Sequence, residues 1–366
     1  MRAPVLLALL LVSLVLPAAA VGETPSGPRL ATVELIEAKG PKFSEDDRPP
    51  TMALATVDPS TGKQQRFLEA KLGAGKRLVP SPFHPPAWSP DGSLMAFAAY
   101  DGGGEPEQDK IFVASSDGSD ARLIPGTRGG SQPVFSPDGF TLAFSRTRFR
   151  SNVKPGRLYA NFYSSTTTWI VDLRGGKPRR LTRWRNGLYN TPGSFTADGT
   201  GLLLTKEDSN LEGSRIVQLG LADVSSREIL EFASEPAVSP DGSQIAFVGY
   251  LDRDLVEAEE NHDYLAGELY VAAADGTGIR RLSRSEDVLE SAPSWDPSGQ
   301  RIAYVQFRAD TSFVPGLGLL FPTGNALMQV NPDGSCRKNI LSQPRVAFYG
   351  AAWQPGPGRE AGPIRC

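Results

Sequence analysis

The chain has 366 residues and a formal net charge of −3, with basic and acidic residues interleaved through most of its length. That balance excludes a nucleic-acid surface, which needs a concentrated basic face. Its 38 glycines and 31 prolines favour many short elements joined by tight turns over long helices.

The first element in chain order is a leader. Met1-Arg2-Ala3-Pro4 precedes an apolar run from Val5 to Leu16, and Ala18-Ala19-Ala20 follows. A basic start, a short apolar core and a small-residue exit predict a secretory signal peptide over residues 1–20. As a helix the apolar run reaches about 18 Å, too short to cross a bilayer's hydrocarbon core. No cysteine stands directly after Ala20 to carry a lipid anchor, and no later segment is apolar enough to span a membrane. The mature chain is expected to be exported, periplasmic or secreted, and monomeric.

Beyond the leader the chain repeats itself. Apolar segments at Thr32–Glu37, Thr51–Val57 and Gln64–Glu69 come first, the last two flanking Asp58-Pro59-Ser60-Thr61-Gly62. A phrase then recurs: Trp88-Ser89-Pro90-Asp91-Gly92, Phe135-Ser136-Pro137-Asp138-Gly139 and Val238-Ser239-Pro240-Asp241-Gly242. Weaker copies start at Phe195 and Trp295, and a sixth, degenerate one at Trp353. Each of the five clear copies precedes an apolar strand, and a strand-turn-strand phrase follows. Asp-Gly between apolar strands is a strong hairpin signal, because both turn positions tolerate positive φ. Each unit therefore reads as four antiparallel strands, a to d, with the Pro-Asp-Gly turn joining a to b. Radial repetition of such units predicts an all-β, six-bladed β-propeller over residues 21–366. Its last blade is split: Val346–Trp353 supplies strand a, and residues 30–70 supply b, c and d. The recurring aromatics Trp88, Phe135, Phe195, Trp295 and Trp353 are expected to pack between blades.

The Ser-Pro-Asp-Gly phrase resembles the TolB-like, WD40-like (PD40) propeller repeat family over residues 51–353, nearly all of the mature chain. The resemblance implies the propeller fold. It does not extend to the separate α/β domain that precedes the propeller in TolB, since about thirty residues here separate the leader from the first matching hairpin.

In a propeller the a–b and c–d turns share one face, while the b–c and d–a connections share the other. Length variation concentrates in the b–c inserts: Tyr100–Asp109, Thr147–Thr167, Lys206–Gly213, Tyr250–Gly267 and Phe307–Asn325. Long, variable loops on a rigid scaffold are where binding usually resides. The second insert and its lead-in are basic and aromatic, with Arg146, Arg148, Arg150, Lys154, Arg157, Tyr159, Phe162 and Tyr163. The fourth is acidic, with Asp252, Asp254, Glu257, Glu259, Glu260, Asp263 and Glu268, and it holds His262. The fifth is apolar, with Phe313, Val314, Leu317, Leu319, Leu320 and Phe321. Such a rim suits a protein, peptide or cell-envelope component. The plainer alternative is that the charged inserts are solvated and pair with each other.

Catalysis is poorly supplied. Only His84 and His262 could serve a Ser-His-Asp set, and no Gly-x-Ser-x-Gly, His-Glu-x-x-His or Cys-x-x-Cys motif occurs. No catalytic residue is assigned, and no cofactor is expected. The one metal candidate is Ca²⁺ in the acidic insert, whose spacing matches no defined calcium loop. Against the binding platform stands a second reading, a propeller hydrolase of the glycosidase or lactonase type. It would use paired carboxylates or a divalent cation near the central channel. Glu235 and Glu290, which precede the strands a of two blades, read as loop residues. Finally, Cys336 falls in a c–d turn beside the end of the closing strand, so a Cys336–Cys366 bridge is expected to pin the tail.

Overall fold

The repeated turn shows why the sequence folds as it does. Ser89 Oγ donates to Asp91 Oδ1 at 2.5 Å, and that carboxylate accepts the Ser93 amide at 3.1 Å. Ser89 Oγ in turn accepts the Leu94 amide at 2.9 Å, which fixes where the next strand begins. Ser136/Asp138, Thr196/Asp198 and Ser239/Asp241 repeat the pattern. In the Trp295 copy, Asp296 replaces the hydroxyl and accepts the Gln300 and Arg301 amides at 2.7 and 2.6 Å. The turn glycine that follows, Gly92 or Gly139 for example, takes φ of +69° or +73°, a conformation glycine adopts freely.

The computed structural model describes residues 27–36, 51–71, 78–81, 84–101, 109–152, 161–208, 213–250, 267–284, 288–308, 311–314, 319–322, 325–344, 346–359 and 361–366. Among them are 27 strands and no helix. β1 (Leu30–Ile36), β2 (Thr51–Val57) and β3 (Gln64–Lys71) join the C-terminal β27 (Val346–Trp353) in the order β27-β1-β2-β3. Both ends of the chain thus share one antiparallel sheet, with Leu30 opposite Trp353 and Ile36 opposite Val346. Next come β4 (Leu78–Pro80), β5 (Ala87–Trp88), β6 (Leu94–Asp101), β7 (Lys110–Ser115) and β8 (Arg122–Leu123). The third unit has β9 (Gly130–Phe135), β10 (Thr141–Asn152), β11 (Asn161–Asp172) and β12 (Arg179–Arg180). The fourth has β13 (Leu188–Phe195), β14 (Gly201–Asp208), β15 (Ser214–Gly220) and β16 (Ser226–Glu231). β17 (Ala233–Val238), β18 (Gln244–Gly249), β19 (Glu268–Ala273) and β20 (Arg280–Arg281) form another sheet. β21 (Val288–Trp295) and β22 (Ile302–Arg308) lead to a two-stranded ribbon, β23 (Thr311–Val314) and β24 (Leu319–Pro322). β25 (Ala326–Val330) and β26 (Lys338–Ser342) then complete the sheet β21-β22-β25-β26.

The arrangement is an all-β propeller, but the expectation of six separate, equivalent four-stranded sheets needs correction. Three sheets have four strands; the third and fourth units form one eight-stranded sheet. The cause is the length of β11, which carries Thr166 into a parallel bridge with Tyr189 of β13. Thr168 Oγ1 donates to the Asn190 carbonyl at 2.9 Å, and the Gly187 amide to the Ser164 carbonyl at 3.1 Å, tightening that junction. The β4–β8 sheet counts five strands because its inner strand is interrupted between Pro80 and Ala87. Prolines 80, 82, 85 and 86 offer no amide to a ladder there. The second insert is also not a loop throughout. β10 and β11 run through most of it as a twelve-residue pair, as the β-branched and aromatic residues of Asn161–Trp169 favour.

The core lies between consecutive units rather than within each. Buried Ala31, Val33, Met52 and Leu54 pack on Val79, Met95 and Phe97 of the next sheet. Ile111 packs with Phe135 and Phe144, Ala143 with Phe195 and Leu202, and Leu203 with Ile245 and Phe247. Val271 then packs with Ile302 and Tyr304, and Val305 with Phe348 and Trp353, which returns to the first sheet. The recurring aromatics sit in this seam, as expected for packing. All five are buried, and the Trp88 and Trp295 indoles donate to the Ala352 and Ala237 carbonyls of the preceding unit at 3.1 and 2.9 Å.

The inner strands β27, β9, β13, β17 and β21 each pair with a bulge or register shift, whereas the β4–β5 strand is interrupted instead. Three residues before the anchor position, Gln132, Glu235, Ala292 and Gly350 hold φ of +50°, +52°, +52° and +87°. A bulge of this kind bends its strand and re-aims the side chain that follows.

The tail runs over the turn face. The Gln354 amide group donates to the Gly92 carbonyl at 2.8 Å, and the Ala361 amide to Asp296 at 3.2 Å. Asn331 and Ile364 exchange two hydrogen bonds, at 2.8 and 3.0 Å. The Cys336–Cys366 bridge forms, with a Cα–Cα distance of 5.1 Å.

Candidate functional site

The long-insert face holds two adjoining features. The first is a cleft of about 280 Å³ lined by Arg148, Ser165, Trp184, Arg185 and Asn186. Arg148 (β10) and Ser165 (β11) are cross-strand partners, and the other three come from the connection between β12 and β13. The Leu188 amide donates to the Arg185 carbonyl at 3.0 Å and shapes that connection. The Arg148 guanidinium lies 5.9 Å from the Trp184 ring centroid. Arg148, Arg185 and Asn186 are exposed. Neither arginine makes an ion pair among the described residues.

Arg146, two residues earlier, is different. It donates to the Gly126 carbonyl at 2.6 Å and lies 4.2 Å over the Trp169 ring and 5.7 Å over Phe144. That side chain is half-buried and committed to the fold.

The second feature is acidic. Glu235 lies in β17, not in a loop, which corrects the sequence expectation. Its amide donates to Thr205 Oγ1 at 2.8 Å, and its carboxylate accepts the Ala292 amide of the next inner strand. The residue is exposed, with protein packed densely around its carboxylate. That enclosure pushes its pKa up, and the nearby Glu207 charge adds to the effect. Burial raises Glu207 as well, and Tyr250 is raised by burial and then by both carboxylates. Glu207 pairs with Tyr189, whose hydroxyl lies 2.5 Å from Ser164 Oγ, so the acidic pair and the basic cleft adjoin.

Other acids are structural. Glu290, also expected in a loop, is buried in β21, where its carboxylate meets Arg337 at 2.6 Å, the Leu269 amide at 2.9 Å and the Ser283 hydroxyl. Glu268, counted with the acidic insert, is buried at the start of β19 and paired with Arg281. Asp109 closes the first insert. It is buried, accepts Ser81 Oγ at 2.5 Å, and burial pushes its pKa up to about 6.

The remaining expected positions are placed in part. Arg150 pairs with Tyr163 and Phe162 with Ser151 on the β10–β11 pair. Phe313 pairs with Leu320, Leu319 with Val314 and Phe321 with Ser312 in the β23–β24 ribbon, so the apolar insert forms its own hairpin. Side-chain positions at these residues lie outside the described set, as do the leader, Tyr159, Asp252, Asp254 and His262. Among the described residues no group of three or more metal-ligating side chains occurs, and no helix is long and apolar enough to cross a membrane. Trp184, Arg185 and Asn186 had not been singled out. The available signal was topological, because d–a connections share the face of the b–c inserts.

No protein-family model matches the chain. It is 23% identical over 262 residues to the Tol-Pal system protein TolB of Francisella tularensis subsp. mediasiatica, covering 60% of this chain and 56% of that protein. Among solved structures, TolB from Acinetobacter baumannii superposes with a TM-score of 0.62 at 17% identity, over 90% of this chain and 67% of that one. This is a TolB-like β-propeller. Putative TolB from Agrobacterium tumefaciens gives 0.56 at 16% identity, over 90% and 99% of the two chains. The TolB-like propeller spans about half the length of the curated relatives it matches. At these identities the structural likeness speaks to the fold, and the cleft and acidic pair belong to this TolB-like chain's own residues.

Proposed function

We propose that this chain is an exported, non-catalytic binding platform that holds a protein, peptide or cell-envelope component on its long-insert face. In this reading the frame is six blade units, with the eight-stranded sheet counted as two and residues 21–366 as one domain. The six interblade cores support that count. The observation that carries the reading is the asymmetry of the faces: one is built from repeated hydrogen-bonded turns under a strapped tail, and the other from inserts that differ in length and chemistry. Related chains bear the name Tol-Pal system protein, which denotes a component of a multi-protein system. Capture from an envelope fraction tests the proposal, with wild type beside a deletion of Phe313–Phe321. Recovery of a partner by wild type and its loss on deletion supports the apolar hairpin as part of the surface; equal recovery removes that hairpin from it.

A second reading, a hydrolase acting on a saccharide or lactone, draws on the raised pKa values of Glu207 and Glu235, the latter increased further by the charge of the former. Two neighbouring carboxyls with raised pKa suit shared-proton chemistry. Hydrolysis of glycoside or lactone substrates by wild type, abolished in Glu235→Gln, would establish it. The absence of turnover with either substrate class would leave the binding platform.

A further inference from the structure

The cleft at Arg148 has a chemistry narrower than the platform reading on which this inference rests. We infer that it receives acidic side chains of an extended peptide, which lies along the outer half of β11. Two guanidiniums that make no ion pair among the described residues face one small recess with an indole, an amide and a hydroxyl. Arginine's planar fork matches a carboxylate in a bidentate geometry, and Trp184 offers a ring face to the aliphatic stem. A recess of about 280 Å³ lies at the lower limit of small-molecule pockets and suits one or two side chains.

The backbone beside it favours a peptide over a free anion or a saccharide. β10 and β11 stay paired as far as Ser151–Phe162 and Asn152–Asn161. Beyond the single Thr166–Tyr189 bridge, residues 161–163 of β11 have no strand on their second edge among the described residues. Such an edge accepts an added strand through main-chain hydrogen bonds, and adjacent side-chain recesses supply the selectivity. Ser165, which lines the cleft, lies two residues along β11 from that edge.

The test is fluorescence anisotropy of the full mature chain with fluorescein-labelled hexaglutamate. Saturable binding is expected, weakening as salt rises from about 50 to about 500 mM, with no binding of labelled hexaglutamine. Arg148→Gln/Arg185→Gln should weaken hexaglutamate binding about tenfold or more. Arg148→Lys/Arg185→Lys, which keeps the charge and loses the fork, should fall between. Arg122→Gln, at an exposed position on β8, should bind as wild type does. An unchanged affinity in the double glutamine variant would overturn the assignment, and so would tighter binding of hexagalacturonate or inorganic phosphate than of hexaglutamate. The same variant in the envelope capture separates the two ideas: undiminished partner recovery removes the cleft and leaves the platform standing.

Discussion

The two faces of this propeller use carboxylates in opposite ways. On the turn face, Asp91, Asp138, Asp198 and Asp241 each accept a hydroxyl and one or more amides, and those donors hold their pKa values below the usual range. On the insert face, Asp109, Glu207 and Glu235 are held above it by burial. The difference teaches where the fold gains its stability and where it gives some up. Turn carboxylates are satisfied as ions and contribute to folding, whereas enclosed carboxylates are costly as ions unless something outside the fold stabilises them. Asp109 is held within the fold by Ser81, whereas Glu235 is exposed.

The largest test of the comparison is the clasp on the turn face. Cys336→Ser, or reduction of the wild type, is expected to lower unfolding free energy by about 3.5 kcal/mol, from closure of a loop of 30 residues. Denaturant titration with and without reductant measures this. A loss below about 1 kcal/mol would mean that the tail is held equally well by Asp296 and Asn331 alone.

A pH titration separates the faces more finely. The Asp109 carboxyl binds its proton more tightly in the folded state, so stability is greatest below its unfolded pKa. It is lost as pH rises from about 4 through about 6. The change is on the order of 2–3 kcal/mol, and Asp109→Asn should remove it and leave the protein more stable at pH 7. The turn-face aspartates act with the opposite sign, since their contribution is present above about pH 4 and lost below it. A variant that keeps the full alkaline fall would show that Asp109 is not its source.

The strap itself is probed by two glycines of nearly equal φ. In Gly92→Ala a new Cβ would collide with the Pro355 carbonyl, whereas in Gly139→Ala it meets only the Pro90 ring, no closer than 3.4 Å. Both carry the cost of a left-handed residue, about 1–2 kcal/mol, and Gly92→Ala is expected to cost more because the tail must shift. Equal melting temperatures for the two variants would remove the tail from the turn face. The smallest stability effect belongs to the insert face: Arg148→Gln should change unfolding free energy by less than about 0.5 kcal/mol, however strongly it alters binding.

Local chemistry explains what could be read before folding. Ser89, Asp91 and Gly92 make their turn within five residues, so their copies announced each a–b hairpin and hence the propeller. The split closing sheet was legible for the same reason, since its turn phrase and apolar strands carry the repeat's spacing to both ends. The Cys336–Cys366 pairing followed once the turn face was fixed. By contrast, Glu235 and Glu290 have similar sequence settings just before an anchor residue and opposite fates. One is exposed and feels the charge of Glu207, and the other is buried against Arg337.

The amino-acid sequence by itself determined the all-β class, the turn register and the seam aromatics, because each depends on contacts between near neighbours or on a strict period. Only the tertiary structure decided that β11 bridges to β13, that the inner strands bulge at Glu235, and that Arg148 meets Trp184 and Arg185. Those outcomes depend on how far a strand extends and which unit it then touches. A repeat period carries no information about either, because both are settled by packing between units.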